Sequence, residues 1–131
     1  MVEDCIFCKI VRKEIPCYKI YEDEEFLVFL DAFPLVKGQT LVVSKNHLDY
    51  LFNIEDKIYT KLMILAKKIA KAIDKSLKPI KTGMIVEGLE IAHVHVKLYP
   101  LNTGFINLKP ILKLSDKEMK KIAEEIKKAL R

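Results

Sequence analysis

The sequence predicts an α+β fold, on three observations. Apolar residues recur at helical spacing in two stretches, 58–77 and 119–130. Several short runs alternate as half-buried strands do. Neighbouring strand pairs have short connections, which favours antiparallel pairing. The expected architecture is an antiparallel sheet with one long central helix and a C-terminal helix packed on it. The chain has 131 residues, half of them hydrophobic and 31% charged. That length fits one domain, 1–131, with a core that needs no staples.

Each element follows from local chemistry. Residues 5–12 read as a short ordered segment entering the fold, and Pro16 marks a turn. The runs 18–22 (YKIYE) and 25–31 (EFLVFLD) alternate around a Glu22–Glu24 turn and predict a hairpin. Ala32–Gln39 contains Pro34 and Gly38 and reads as a loop. Thr40–Ser44 (TLVVS) is a short apolar strand. Asn53 is placed to cap a helix whose first turn holds Glu55 and Asp56. Ile58, Leu62, Leu65, Ile69, Ile73 and Leu77 then share one helical face, and Pro79 ends the helix. Strands are expected over 82–87 and 91–100, with Gly88 in a turn and Pro100 as terminator. Ser115-Asp-Lys-Glu118 is a capping box. It opens a helix with Met119, Ile122, Ile126 and Leu130 on one side.

Composition narrows the function. The net charge of +5 comes from 23 basic and 18 acidic residues. It favours an anionic ligand, yet the lysines cluster in 61–81 and 109–128, where a solvated helix face explains them. No apolar run approaches the roughly 18 residues of a membrane span. The acidic N-terminal segment lacks the pattern of a secretory signal, so a cytoplasmic protein is expected. Three cysteines, Cys5, Cys8 and Cys17, do not make a disulfide framework.

The densest chemistry lies in His93-Val-His-Val-Lys-Leu-Tyr-Pro100. Strand alternation puts His93, His95 and Lys97 on one face. Two of the chain's three histidines stand there, against the alternative of accidental polar alternation. A neutral imidazole can attack phosphorus. A cation beside it neutralises phosphoryl oxygens, a role open to Lys97 unless it only faces solvent.

Cys5-x-x-Cys8 has the thiolate spacing of a tetrahedral zinc site. No second CxxC follows, so further ligands must come from His47 and a strand histidine. Cys5, Cys8, His47 and His93 make one such set. The alternatives are a buried pair of small residues, or a redox pair. The redox pair is disfavoured because the motif precedes the first strand. Asp31 ends an apolar strand and suits ribose hydroxyls, or simply starts a turn. Phe26, Phe29 and Phe33 read as core aromatics, one of which could flank a purine.

Taken in order, these pieces resemble the histidine triad (HIT) family over roughly residues 3–105. The segment CIFCKIVRKEIPCYKIYEDEEFLVFLDAFPLVKGQTLVVSKNH is similar to the family's N-terminal half. HVHVKLYP is similar to its H-φ-H-φ-H-φ-φ signature, where φ is apolar. The resemblance implies two subunits joining their sheets as a homodimer, and hydrolysis or transfer at the α-phosphate of a purine nucleoside phosphate derivative. It implies that His95 is the nucleophile, forming a nucleotidyl-histidine intermediate. It also implies that Asp31 contacts ribose and that Cys5, Cys8, His47 and His93 hold a structural zinc.

The chain departs from the pattern twice. Lys97 stands where the third histidine belongs. It can hold a phosphate as a point charge, but it does not shuttle protons near neutral pH. The approach to the signature, Val86-Glu-Gly-Leu-Glu-Ile-Ala92, lacks the usual Gly-Gln-Ser stretch and carries Glu87 and Glu90 instead. A carboxylate near a phosphate is unfavourable unless it points away. These departures motivate a second reading, a nucleotide-binding or interaction protein with little turnover. A zinc-stabilised RNA-binding module ranks last, because the aromatics do not interleave with a basic stripe.

Overall fold

A computed structural model of the chain describes residues 3–103 and 112–131. The elements are α1 (Ile6–Val11), β1 (Lys19–Glu22), β2 (Phe26–Leu30), β3 (Thr40–Ser44), α2 (Asp56–Leu77), β4 (Lys81–Ile85), β5 (His95–Leu101) and α3 (Asp116–Ala129). The five strands form one antiparallel sheet in the order β1-β2-β3-β5-β4. The expected α+β architecture is therefore the observed one. Residues 109–111 of the lysine-rich segment and 104–105 of the family resemblance lie outside the described residues.

The β1–β2 hairpin turns at Asp23. Its carboxylate accepts the backbone N–H groups of Glu25 and Phe26, both at 2.8 Å. Every residue of β2 and β3 is buried, because both faces of these strands are covered. Val28, Val42, Val96 and Leu98 pack beneath α2 and α3, where Leu62, Ile69, Ile73, Ile122 and Ile126 complete the main core. Leu27, Phe29, Leu41 and Val43 face the other way and meet Phe7 and Ile10 of α1. Burying each large side chain contributes about 1.5–3 kcal/mol. The sheet thus has a face covered by α2 and α3 and a second face that carries α1 and a cavity.

The predicted apolar stripes are the buried ones. Leu62, Leu65, Ile69 and Ile73 are buried on α2, and Met119, Ile122 and Ile126 on α3. The capping box forms in both directions: Glu118 N–H donates to Ser115 Oγ, and Ser115 N–H to the Glu118 carboxylate. Helix α2 ends at Lys78, which takes a left-handed conformation (φ 50°) just before Pro79. Gly38 also needs positive φ (86°), and a Cβ there would collide with the Leu77 side chain.

The short ordered segment expected over 5–12 is a helix with Cys5 as its N-cap. Several boundaries differ from expectation. Asn53 does not cap α2. It ends a 3-10 turn (Leu51–Asn53) that buries Leu51, and Glu55 occupies the N-cap with no side-chain hydrogen bond. Strand β4 is shifted to Lys81–Ile85, and β5 starts at His95 instead of residue 91. Upstream of β5, Val94 N–H bonds to Leu48 O and His93 N–H to Ile91 O, so this segment pairs with a loop. Pro100 does not stop the strand. The Leu101 carbonyl faces β4, accepting from Ile80 N–H. By alternation the Pro100 nitrogen faces the β3 side, where pairing has ended at Leu98.

Candidate functional site

Two adjoining sites lie on the α1 face of the sheet. The first is a cluster of Cys5, Cys8, His47 and His93, whose donor atoms all lie within 4.8 Å of one another. Helix α1 brings the two cysteines one turn apart, and Cys8 N–H donates to Cys5 Sγ. His93 is fully buried, and its Nε2–H donates to the Ser44 carbonyl at 2.6 Å. A carbonyl only accepts, so this bond fixes the tautomer and leaves the Nδ1 lone pair facing the thiols. Nδ1 lies 3.2 Å from Cys5 Sγ and 3.6 Å from Cys8 Sγ, and His47 Nδ1 lies 3.3 Å from Cys8 Sγ. A tetrahedral ion with bonds of about 2.0–2.3 Å sets sulfur and nitrogen donors roughly 3.6 Å apart. The donor set and its spacing therefore fit a four-coordinate metal ion. Burial lowers the His93 pKa, which favours the neutral ligand form, and raises that of the Cys5 thiol.

The second site is a cavity of about 770 Å³ between α1, the loop 31–39, β5 and the segment after β4. This size suits a small organic ligand. His95, Lys97 and Tyr99 project into it from alternate positions of β5, and Asp31 lines it from the end of β2. The sheet-face prediction thus holds for His95 and Lys97, and His93, just upstream of β5, lies on the same α1 side within the Cys/His cluster. Ile6, Phe7, Ile10 and Ile15 give the cavity an apolar wall.

His95 is almost fully buried, and its Nδ1–H donates to the His93 carbonyl at 2.6 Å. That bond leaves Nε2 as the nitrogen with the lone pair. Burial lowers the His95 pKa; the His93 hydrogen bond opposes this and Lys97 adds to it. The neutral ring is therefore favoured at pH 7. The Phe7 ring meets His95 edge-on, with centroids 4.9 Å apart, and meets His93 at 5.7 Å. One aromatic side chain thus packs against a candidate metal ligand and the cavity imidazole together.

Asp31 takes the turn-starting role that is one of its two sequence readings. Its Oδ1 accepts Phe33 N–H at 2.9 Å, as a turn residue does, and its Oδ2 accepts the Gln39 amide at 2.8 Å. The Gln39 carbonyl oxygen in turn accepts Leu35 N–H. The carboxylate is therefore braced across the loop at the cavity edge. Phe26 and Phe29 are core residues, but Phe33 is 68% exposed on the rim.

Glu87 does not turn away from the cavity. Its carboxylate accepts from Lys97 Nζ at 3.0 Å. Burial opposes the charge on Lys97, but the Glu87 hydrogen bond, with Tyr99 and Asp31 nearby, outweighs it and raises the pKa. Lys97 is a fixed cation here. Sequence reasoning missed Gln39, Phe7 and Tyr99 as parts of the site. Only the parity of Tyr99 with His95 and Lys97 signalled one of them.

Residues 12–103 match the HIT domain family. A HIT-like protein of Borreliella burgdorferi is 40% identical over 111 residues, which are 78% of this chain and 80% of that protein. The adenosine 5'-monophosphoramidase of Schizosaccharomyces pombe is 33% identical over 130 residues, 93% of this chain and 95% of that enzyme. The crystal structure of a zinc-bound histidine triad family protein from Mycobacterium smegmatis superposes with a TM-score of 0.83 at 26% identity, covering 97% of this chain and 93% of that one. The family match spans well over half the chain, and by it this chain belongs to the HIT domain family.

Proposed function

We propose that this protein hydrolyses a purine nucleoside phosphate derivative at its α-phosphate, using His95 as nucleophile. The observation that carries this reading is the His95 Nδ1–H bond to the His93 carbonyl. It leaves a neutral imidazole with its Nε2 lone pair at a cavity that also presents Lys97 and Asp31. The relative named as an adenosine 5'-monophosphoramidase supports hydrolysis of a nucleotide derivative.

In the first step Nε2 attacks the α-phosphorus and a P–N bond to His95 forms. The bond to the leaving group breaks, and the leaving group departs with its electron pair and a proton from solvent. In the second step a water oxygen attacks phosphorus. The His95–phosphorus bond breaks, its electrons return to Nε2, and the water proton goes to solvent. Lys97, in the position of the third triad histidine, neutralises the phosphoryl oxygens and does not transfer protons. Asp31 accepts hydrogen bonds from ribose hydroxyls with the lone pairs its loop partners leave open. The apolar wall takes the base.

Cys5, Cys8, His47 and His93 would hold zinc. With four protein donors no coordination position stays open, so the ion supplies structure and takes no part in the reaction. It would pin α1, and with it the cavity wall, to the sheet. We extend the proposal to a single 1–131 domain acting as a cytoplasmic homodimer. Among the described residues β1 and β4 are the edge strands of the sheet, where such pairing would extend it.

The Lys97–Glu87 ion pair favours a second reading, nucleotide binding with little turnover, because it occupies the cation a phosphate would use. Release of the monophosphate from adenosine 5'-phosphoramidate separates the two. Release by the wild type, lost in a folded, nucleotide-binding His95→Asn variant, supports the enzyme. Tight binding without release supports the second reading.

A further inference from the structure

The charges around His95 are mostly of the wrong sign for a polyanion. Among the described residues lining the cavity, Asp31, Glu87 and Glu90 are acidic and Lys97 is the one Lys or Arg. Lys97 is already bonded to Glu87 at 3.0 Å, with side chains 22% and 33% exposed. Strand pairing places Ile85 opposite Lys97, so Glu87 follows two residues after the lysine's cross-strand partner. A phosphoryl group at His95 must share Lys97 with this carboxylate. Any further negative charge on the ligand meets Glu87 or Glu90 without a second lysine or arginine among these lining residues.

We infer that Glu87 is a specificity-determining residue. It restricts the site to nucleoside phosphate derivatives with a singly charged α-phosphate and an uncharged or cationic leaving group, and it works against di- and triphosphates. The inference rests on the nucleotide reading of the cavity. It favours amine leaving groups over a second nucleotide. Glu87 does this as a fixed negative charge and needs no chemical step of its own. A unit charge about 6 Å from another changes affinity roughly threefold at the dielectric of water and roughly a hundredfold at an effective dielectric of about 20, so about tenfold is expected at a cavity open to solvent.

Calorimetric binding tests it without turnover. The probes are the O-methyl ester of adenosine monophosphate, with one charge on phosphorus, and adenosine triphosphate, both without divalent cations and at fixed ionic strength. The wild type is expected to bind the ester about tenfold or more tighter than the triphosphate. In Glu87→Gln that ratio should fall about tenfold, chiefly through tighter triphosphate binding. Raising salt tenfold should narrow the wild-type ratio by screening, with no substitution needed. A ratio unchanged in Glu87→Gln, whether both affinities rise together or neither moves, overturns the inference but leaves the nucleotide site standing. Absence of binding by either probe to folded wild type overturns the nucleotide reading and this inference with it.

Discussion

The backbone carbonyl of His93 accepts the Nδ1–H of His95 at 2.6 Å, while the His93 ring faces the thiols of Cys5 and Cys8. One residue thus belongs to both sites. Its side chain joins the Cys/His cluster that could hold a metal ion, and its main chain sets the tautomer and orientation of the cavity imidazole. Anything that releases the His93 ring therefore loosens His95.

Metal removal should reach the cavity. With metal bound, one zinc per chain is expected by elemental analysis. Chelation should lower the melting temperature, since binding to the folded chain alone contributes about 4 kcal/mol at a free concentration a thousandfold above Kd. Nucleotide affinity should fall with it, because α1 supplies Phe7 and Ile10 to the wall. A chelated protein with unchanged melting and unchanged affinity would show that the cluster supports neither site.

Phe7 is the packing link between the sites. Phe7→Ala should cost about 3–5 kcal/mol of stability, as expected for a buried aromatic. Phe7→Leu should recover much of the stability but not the edge-on contact with His95. Chemical denaturation of the two variants, beside their rates of monophosphate release, checks this. Equal rates in wild type and Phe7→Leu would leave Phe7 a purely structural role.

Several features were legible in the chain itself. The capping box at Ser115 and the stripes of α2 and α3 depend on contacts a few residues apart, and they lie where the pattern placed them. The parity of His95 and Lys97 is equally local. Alternation alone puts His93 on the same strand, because it does not reveal that Val94 N–H bonds to Leu48 O. The cap at Asn53 failed for a similar reason: burial of Leu51 turns the chain before α2 starts. The Gln39 brace on Asp31 and the Glu87 bond to Lys97 join separate elements, so no periodicity announces them.

Asp31 should separate ribose binding from loop structure. Asp31→Ala removes the acceptors for Phe33 N–H and the Gln39 amide, and should lower stability by about 1–3 kcal/mol. Asp31→Asn keeps an acceptor for Phe33 N–H. If the carboxylate binds ribose, steady-state kinetics of Asp31→Asn should give a KM roughly tenfold higher. The same substitution should not affect binding of a ligand without ribose hydroxyls. An equal loss for both ligands would assign Asp31 to the loop alone.

Acid stability should carry the signature of Glu22. Lys45 at 2.8 Å and Lys19 at 3.0 Å hold its carboxyl down to about 2. A depressed carboxylate stabilises the fold above its ordinary range. That contribution is lost as pH falls from about 4.5 through 2. The side chain is partly exposed, so solvent screening keeps the effect below about 1 kcal/mol. Melting curves from pH 6 to about pH 2 should show a smaller acid-induced loss in Glu22→Gln than in wild type. Parallel curves would mean that the ion pairs add nothing in solution.

The proposed mechanism requires His95 Nε2 to become covalently bound to phosphorus. Rapid acid-free quenching during turnover of adenosine 5'-phosphoramidate, followed by mass spectrometry of the intact protein and its peptides, tests it directly. A mass increase of one adenylyl group is expected, located on His95 and absent from His95→Asn. Turnover persisting in His95→Asn, or an adduct on another residue, would contradict it.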